Sequence, residues 1–294
     1  MLVLAGCAGS STSNGADTGM HAHETAPSST VELGAPDVGF SGPQGRVAQF
    51  VVECTYSHTL DDDPIVFPGE PGASHTHVFF GNTSTDASSD LASLAGASTT
   101  CDQQLDRAAY WAPALFDGTE QVLPEKSTAY YRPGPNVDPA LVQPYPAGLQ
   151  LLAGDAMADS PQPVTRVAWT CGTGAEREAA PPECPAGRGL RLLVTFPDCW
   201  DGAHLSSADH RSHAAYSTGG HCDGGHPVVV PQLTLSVAYP TTGPGHHLSL
   251  ASGGEYSGHA DFFNAWDEAK LATEVSDCLN RGIVCGITSG RKTG

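Results

Sequence analysis

From residue 45 onward the chain consists of short apolar runs separated by Gly- and Pro-containing connections. RVAQFVVECTY (46–56) mixes β-branched and aromatic residues with polar ones in the alternation of a strand. The same signal predicts strands at HVFFGN (77–82), AYWAPALF (109–116), STAYYRP (127–133), VTRVAWTC (164–171), LRLLVTFP (190–197), VVVPQLTLSVAY (228–239) and HLSLAS (247–252). None of these runs alternates with helices in the rhythm of a parallel sheet. The expected fold is therefore mainly β, an antiparallel β-sandwich or jelly-roll-like single domain with long loops. One helix is expected near the C-terminus, where Leu271, Val275 and Leu279 recur at i, i+4, i+8 and Asn280-Arg281-Gly282 supplies a stop. The Pro-rich stretch 133–163 reads as a long loop laid over one face, and no run of about 18 apolar residues is present to cross a membrane.

The N-terminal residues follow a different pattern. Residues 8–44 have no apolar periodicity and are rich in Ser, Gly and Ala, so they read as a disordered tether, and 288–294 as a disordered tail. Ahead of the tether, Leu4-Ala5-Gly6-Cys7 resembles the lipobox of bacterial lipoproteins. That resemblance implies a lipid attached to Cys7 and makes residues 1–7 the remnant of a signal peptide. Only Met1–Val3 precede the box, fewer than the apolar stretch a signal peptide needs, so this reading expects translation to start further upstream. The folded domain is then 45–287.

Charge narrows the partners. Thirteen Lys+Arg against 32 Asp+Glu leave a formal charge of −19, which repels nucleic acid and anionic membrane. The expected membrane contact is through the lipid on Cys7, and the expected state is a monomer. Nine cysteines point outside the cytoplasm. With Cys7 set aside, eight remain, which allow 105 connectivities. Sequential pairing is expected because the last four cysteines sit in segments that can close locally: Cys54–Cys101, Cys171–Cys184, Cys199–Cys222 and Cys278–Cys285. An extracytoplasmic location follows, as a cell-membrane lipoprotein or a secreted protein.

The chemistry lies with histidine, at 13 residues. His75 and His77 flank Thr76 just before a predicted strand, and at strand spacing i and i+2 point the same way. Two imidazoles there can converge on a divalent metal, with Asp61, Asp62 and Asp63 upstream as oxygen ligands or a base. A second group, DCWDGAHLSSADHRSHAAY, carries His204, Asp209, His210 and His213 in a turn-rich segment. The third is His259 beside Asp261, and His226 stands in GGHPVVVPQ. Imidazole moves protons and binds metals near neutral pH; equally, each of these rings can be a hydrogen-bonded structural residue. Trp200 and Tyr216 stand within the same motifs and offer faces for a sugar ring. No HExxH, GxSxG, GxxxxGK[ST] or dinucleotide-binding glycine pattern is present.

The ordered series DDPIVFPG, SHTHVFFGN, WTCG, FPDCWDG, LSSADHRSHAAY, HPVVVPQLTLSVAY and GHADFFNAWD resembles the domain of unknown function DUF1996, over roughly residues 45–286. The family pattern falls on Asp63, Pro64, His75, His77, Cys199, Trp200, Gly202, His210, Ser212, His213, His226, Pro227, His259, Asp261, Trp266 and Asp267. It implies a secreted domain, in some relatives beside carbohydrate-binding modules, and brings no reaction with it. The leading expectation is a domain that acts on or binds polysaccharide, as a hydrolase or lyase, with His210, His213, His259 and Asp261 catalytic and Trp200 and Tyr216 binding substrate. Two alternatives stand beside it. One is a zinc- or copper-binding protein in which His75 and His77 combine with His210, His213 or His259. The other is a non-catalytic envelope module.

Overall fold

The computed structural model describes residues 48–172 and 176–287. Cys7, the tether and the tail lie outside the described residues. The chain begins with strands β1 (Gln49–Leu60), β2 (His77–Gly81), β3 (Ala109–Pro113), β4 (Leu115–Asp117), β5 (Glu120–Val122) and β6 (Lys126–Arg132). Next come β7 (Gln150–Gly154), β8 (Val167–Cys171), β9 (Leu190–Thr195), β10 (Cys199–Trp200), β11 (Ala214–Ala215) and β12 (Val228–Val229). The last are β13 (Gln232–Ala238), β14 (Leu248–Leu250), β15 (His259–Phe263) and β16 (Val284–Ile287), with helices α1 (Leu91–Gly96) and α2 (Glu268–Glu274). The fold is mainly β, its antiparallel sheets forming a nearly closed barrel or sandwich with a C-terminal helix.

The twelve-residue β1 organises this arrangement. Phe50–Thr55 pair with β6, whereas Tyr56–Leu60 pair with β2 across a register shift between Tyr56 and His58. A bulge bends a strand and increases its twist, so β1 leaves one half of the sheet and enters the other. The resulting order is β7-β15-β3-β2-β1-β6-β13-β9-β8, with β16 added parallel to the start of β1. The two halves enclose the main core, in which Phe50 stacks on Tyr131 at 4.5 Å and Tyr110, Trp169, Phe196, Phe262 and Trp266 are buried.

Departures from the expected strands have local causes. The run 228–239 breaks at Pro231, which has no N–H for a ladder, and divides into β12 and β13. Residues 150–154, expected in a long loop, form β7 at the sheet edge, with Leu151 and Ala153 in the core and Gln150 and Leu152 half-buried. The C-terminal helix starts as expected: the Asp267 side chain accepts from Lys270 N, Leu271 faces the core, and a π-helical turn, Val275–Leu279, extends it. All four expected disulfides form: Cys54–Cys101, Cys171–Cys184, Cys199–Cys222 and Cys278–Cys285. They fit an extracellular environment. No helix among the described residues is long and apolar enough to cross a membrane.

Candidate metal centre

Strands β2, β3 and β15 have two different faces. One, through Val78, Phe80, Tyr110, Ala112, Ala260 and Phe262, enters the main core. The other carries a smaller cluster of Ile65, Phe79, Leu94, Ala109, Trp111, Phe263 and Ala265. His77 lies on this second face, two residues before Phe79, and His259 and Asp261 share it with Phe263.

The turn after β1 holds the first histidines in place. Asp63 Oδ1 accepts from the Ile65 and Val66 amides, fixing the turn ahead of the SHTH segment. Asp62 binds the Gly72 and Ala87 amides through its two oxygens. Thr76 donates to Asp61 at 2.6 Å, so its side chain is tied to that turn. His77 donates from Nδ1 to the Asp62 carbonyl at 3.0 Å, and His259 donates from Nδ1 to the Ser257 carbonyl at 2.9 Å.

These two bonds fix the tautomers. A carbonyl can only accept, so each ring keeps its proton on Nδ1 and presents a bare Nε2. Yet His259 Nε2 lies 3.1 Å from His75 Nε2 and 3.4 Å from His77 Nε2. Lone pairs from His77 and His259 facing each other at that distance repel unless a cation lies between them. His75, His77 and His259 each offer a ligand atom within 4.8 Å of the others, and so do Asp63, His77 and Asp261. Nitrogens about 2.0–2.1 Å from a tetrahedral metal are about 3.3–3.4 Å apart, close to the spacing found here. Imidazoles oriented by Nδ1–H bonds to carbonyls are the usual support of a metal-bound histidine.

The electrostatics agree with the tautomers. Burial drives the His77 pKa well below its ordinary value, helped by His259 and His75, and takes His259 down to about 3. His75, half-buried, is lowered by burial against the opposing charge of Asp61. Asp261 goes the other way, well above the carboxylate range through burial and then the nearby Asp63, which burial raises too. Asp261 Oδ2 is buried without a hydrogen-bond partner among the described residues. Burial is the first cause of all five shifts, and it leaves three imidazoles favoured in their neutral form beside two carboxyls pushed toward protonation.

The remaining candidate residues are distributed differently. His210 lines a neighbouring pocket from a left-handed backbone position, φ 58°. His213 lines it too but is buried, with Nε2 donating to the Gln150 carbonyl at 2.7 Å and Nδ1 3.0 Å from the Ser207 hydroxyl. Tyr216 donates to the Thr195 carbonyl, and the Arg166 guanidinium covers its ring. Trp200, on β10, donates to the His204 carbonyl and does not line that pocket. The structure thus brings His259 and Asp261 to the candidate pair His75 and His77, while both nitrogens of His213 are taken up by Gln150 and Ser207. Arg166 and Arg211, which no motif singled out, also line the pocket. Arg211 adjoins His210 within LSSADHRSHAAY, whereas Arg166, inside a predicted strand, has no signal beyond the scarcity of basic residues, 13 in the chain.

The family model for the domain of unknown function DUF1996 matches residues 63–266. The chain belongs to the DUF1996 family. The match begins at Asp63 and takes in every residue of the centre, so the three histidines and two carboxyls all lie inside the DUF1996 domain. No curated protein and no solved structure matches the chain.

Proposed function

We propose that this DUF1996 domain is an exported metal-binding protein that holds a divalent transition ion, zinc or copper, on Nε2 of His75, His77 and His259. The observation that carries the reading is the pair of Nδ1–H bonds to the Asp62 and Ser257 carbonyls, which leaves bare Nε2 atoms facing one another. Three imidazoles suit zinc or copper better than calcium or magnesium, which take oxygen ligands. Three protein ligands leave a position for water or substrate, as in catalytic zinc sites. An ion there would polarise a bound oxygen or lower the pKa of a bound water, with Asp261 and Asp63 beside it to take or return a proton.

Polysaccharide remains the substrate class in this reading, and Cys7 the proposed lipid attachment that keeps the domain at the cell surface. Finding Cys7→Ser still membrane-associated would remove the anchor from the proposal. The centre is tested by elemental analysis and calorimetry on protein purified with its disulfides formed. One equivalent of zinc or copper is expected, with a clear rise in melting temperature on loading. Absence of bound metal, and no thermal shift with either ion, would overturn it.

A further inference from the structure

Beside the centre lies a pocket of about 340 Å³, lined by Leu151, Leu152 and Gly154 of β7 together with Gln162, Arg166, His210, Arg211 and Tyr216. Its position is set by the sheet. Gly154 stands across from His259 and Leu152 across from Asp261, and directly opposed residues share a face, one strand spacing of about 4.8 Å apart. Gly154 is at φ +79°, and a Cβ there would meet the Gly258 carbonyl at 2.4 Å, so this close approach needs glycine.

Most polar groups of the pocket are already engaged. The Gln162 amide donates to the Tyr256 and Gly258 carbonyls and accepts from Asp155 N. His213 and Tyr216 are bound to backbone carbonyls. What is left is positive. Arg166, whose guanidinium covers the Tyr216 ring and whose charge is felt by Asp198, keeps Nη1 buried with no hydrogen-bond partner among the described residues. Arg211 is exposed on the rim, and its charge bears on both His259 and Asp261. The acidic lining residue, Asp155, is exposed and caps its own turn through Met157 N. A chain with 32 acidic and 13 basic residues has therefore placed two arginines, one with an unmet buried donor, beside its histidine centre.

We infer that this pocket receives an oxyanion, a carboxylate or a phosphate, carried on the ligand that the metal centre acts on or binds. Guanidinium groups present donors in a planar fork that matches both anions. Arg166 would supply the missing bond at the back of the pocket and Arg211 would close it from the rim. The inference rests on the metal reading for its second half and on the arginines alone for its first. A carboxylate source is an acidic sugar, which would make the polysaccharide a uronate-containing one; a phosphate source is a phosphorylated ligand.

The test is calorimetry on the full-length chain, metal-free and zinc-loaded, with three probes: a galacturonate trimer, inorganic phosphate and a neutral galactose trimer. At least one anion is expected to bind, at least tenfold more tightly than the neutral sugar. Arg166→Gln and Arg211→Gln should each weaken the anion at least tenfold without changing zinc content. Carboxylate binding alone identifies the acidic sugar, and phosphate binding alone the phosphorylated ligand. If neither anion binds to protein that holds zinc, or if both arginine variants bind as the wild type does, the inference is overturned while the metal reading stands. If the anion binds through the arginines but zinc does not bind, the metal reading fails and the pocket remains.

Discussion

The two histidine groups of this protein are built on opposite principles. His77 and His259 sit on strands, each with Nδ1 spent on a carbonyl and Nε2 left bare. His213 and His226 sit in loops and have partners at both nitrogens: Gln150 and Ser207 for His213, Ser212 and Asp223 for His226. A ring with both nitrogens engaged is a strut, whereas a ring with one free lone pair aimed at two others is a ligand. Residue type and clustering are alike in the two groups, so the free lone pair is what separates binding from bracing.

The sharpest way to break this contrast is to remove the ring shared by both short Nε2 contacts. His259→Ala should lower zinc or copper affinity at least 100-fold, measured by competition with a chromophoric chelator, because two nitrogens cannot complete the site. His213→Ala should leave metal stoichiometry and affinity unchanged and instead cost about 2–4 kcal/mol in urea unfolding, through lost packing and an orphaned Gln150 carbonyl. If His213→Ala loses metal while His259→Ala loses only stability, the assignments are reversed.

The next effect is smaller and depends on pH. His259 is neutral in the fold down to about pH 3, whereas an unfolded histidine takes a proton near 6.5. Its contribution to stability is complete above pH 6.5 and is lost as pH falls toward 3. By pH 5 that amounts to about 2 kcal/mol in the metal-free protein. Asp261 and Asp63, pushed upward, act with the opposite sign, since the unfolded carboxyls ionise first as pH rises. The informative quantity is therefore a difference. Between pH 7.5 and 5, metal-free wild type should lose about 2 kcal/mol more than His259→Gln in urea titrations, and equal losses would show that the ring is not held neutral.

How much of this was readable beforehand depended on how far apart the partners lie in sequence. The i, i+2 spacing of His75 and His77 declares a shared face, and Asp63 is close enough in the chain to belong with them. His259 is another matter. His77 stands across from Pro113 and Asp261 across from Trp111, so β3 runs between the two histidine strands and the rings meet across two strand spacings, roughly 9.6 Å. That meeting depends on sheet order, which no local pattern encodes, so the sequence offers His210, His213 and His259 alike as partners for His75 and His77 and cannot choose among them. β7 was obscured for a different reason. QLLAG is five residues long, follows Pro144 and Pro146 and ends in a glycine, so its strand character comes from pairing with β15. The disulfides and most strands were legible because closure is local in three of the four pairs and alternation is strong.

The smallest effect sharpens the comparison from the loop side. His226 is raised above its ordinary pKa, first by the Ser212 carbonyl and also by Asp223, so it favours the charged form that His259 avoids. Its contribution is complete below pH 6.5 and is lost as pH rises through the raised value, the reverse of His259. Because the pair with Asp223 is near the surface, His226→Ala should cost about 0.5 kcal/mol or less at pH 6, and less still at pH 8.5. Proton NMR of the imidazoles checks both rings in one titration of the metal-free protein. The His226 resonance should move with a midpoint above 6.5, and the His259 resonance should stay put down to pH 4. A His259 midpoint near 6.5 would mean that its Nε2 is solvated and protonatable, and the distinction between ligand and strut would then have to be found in something other than a free lone pair.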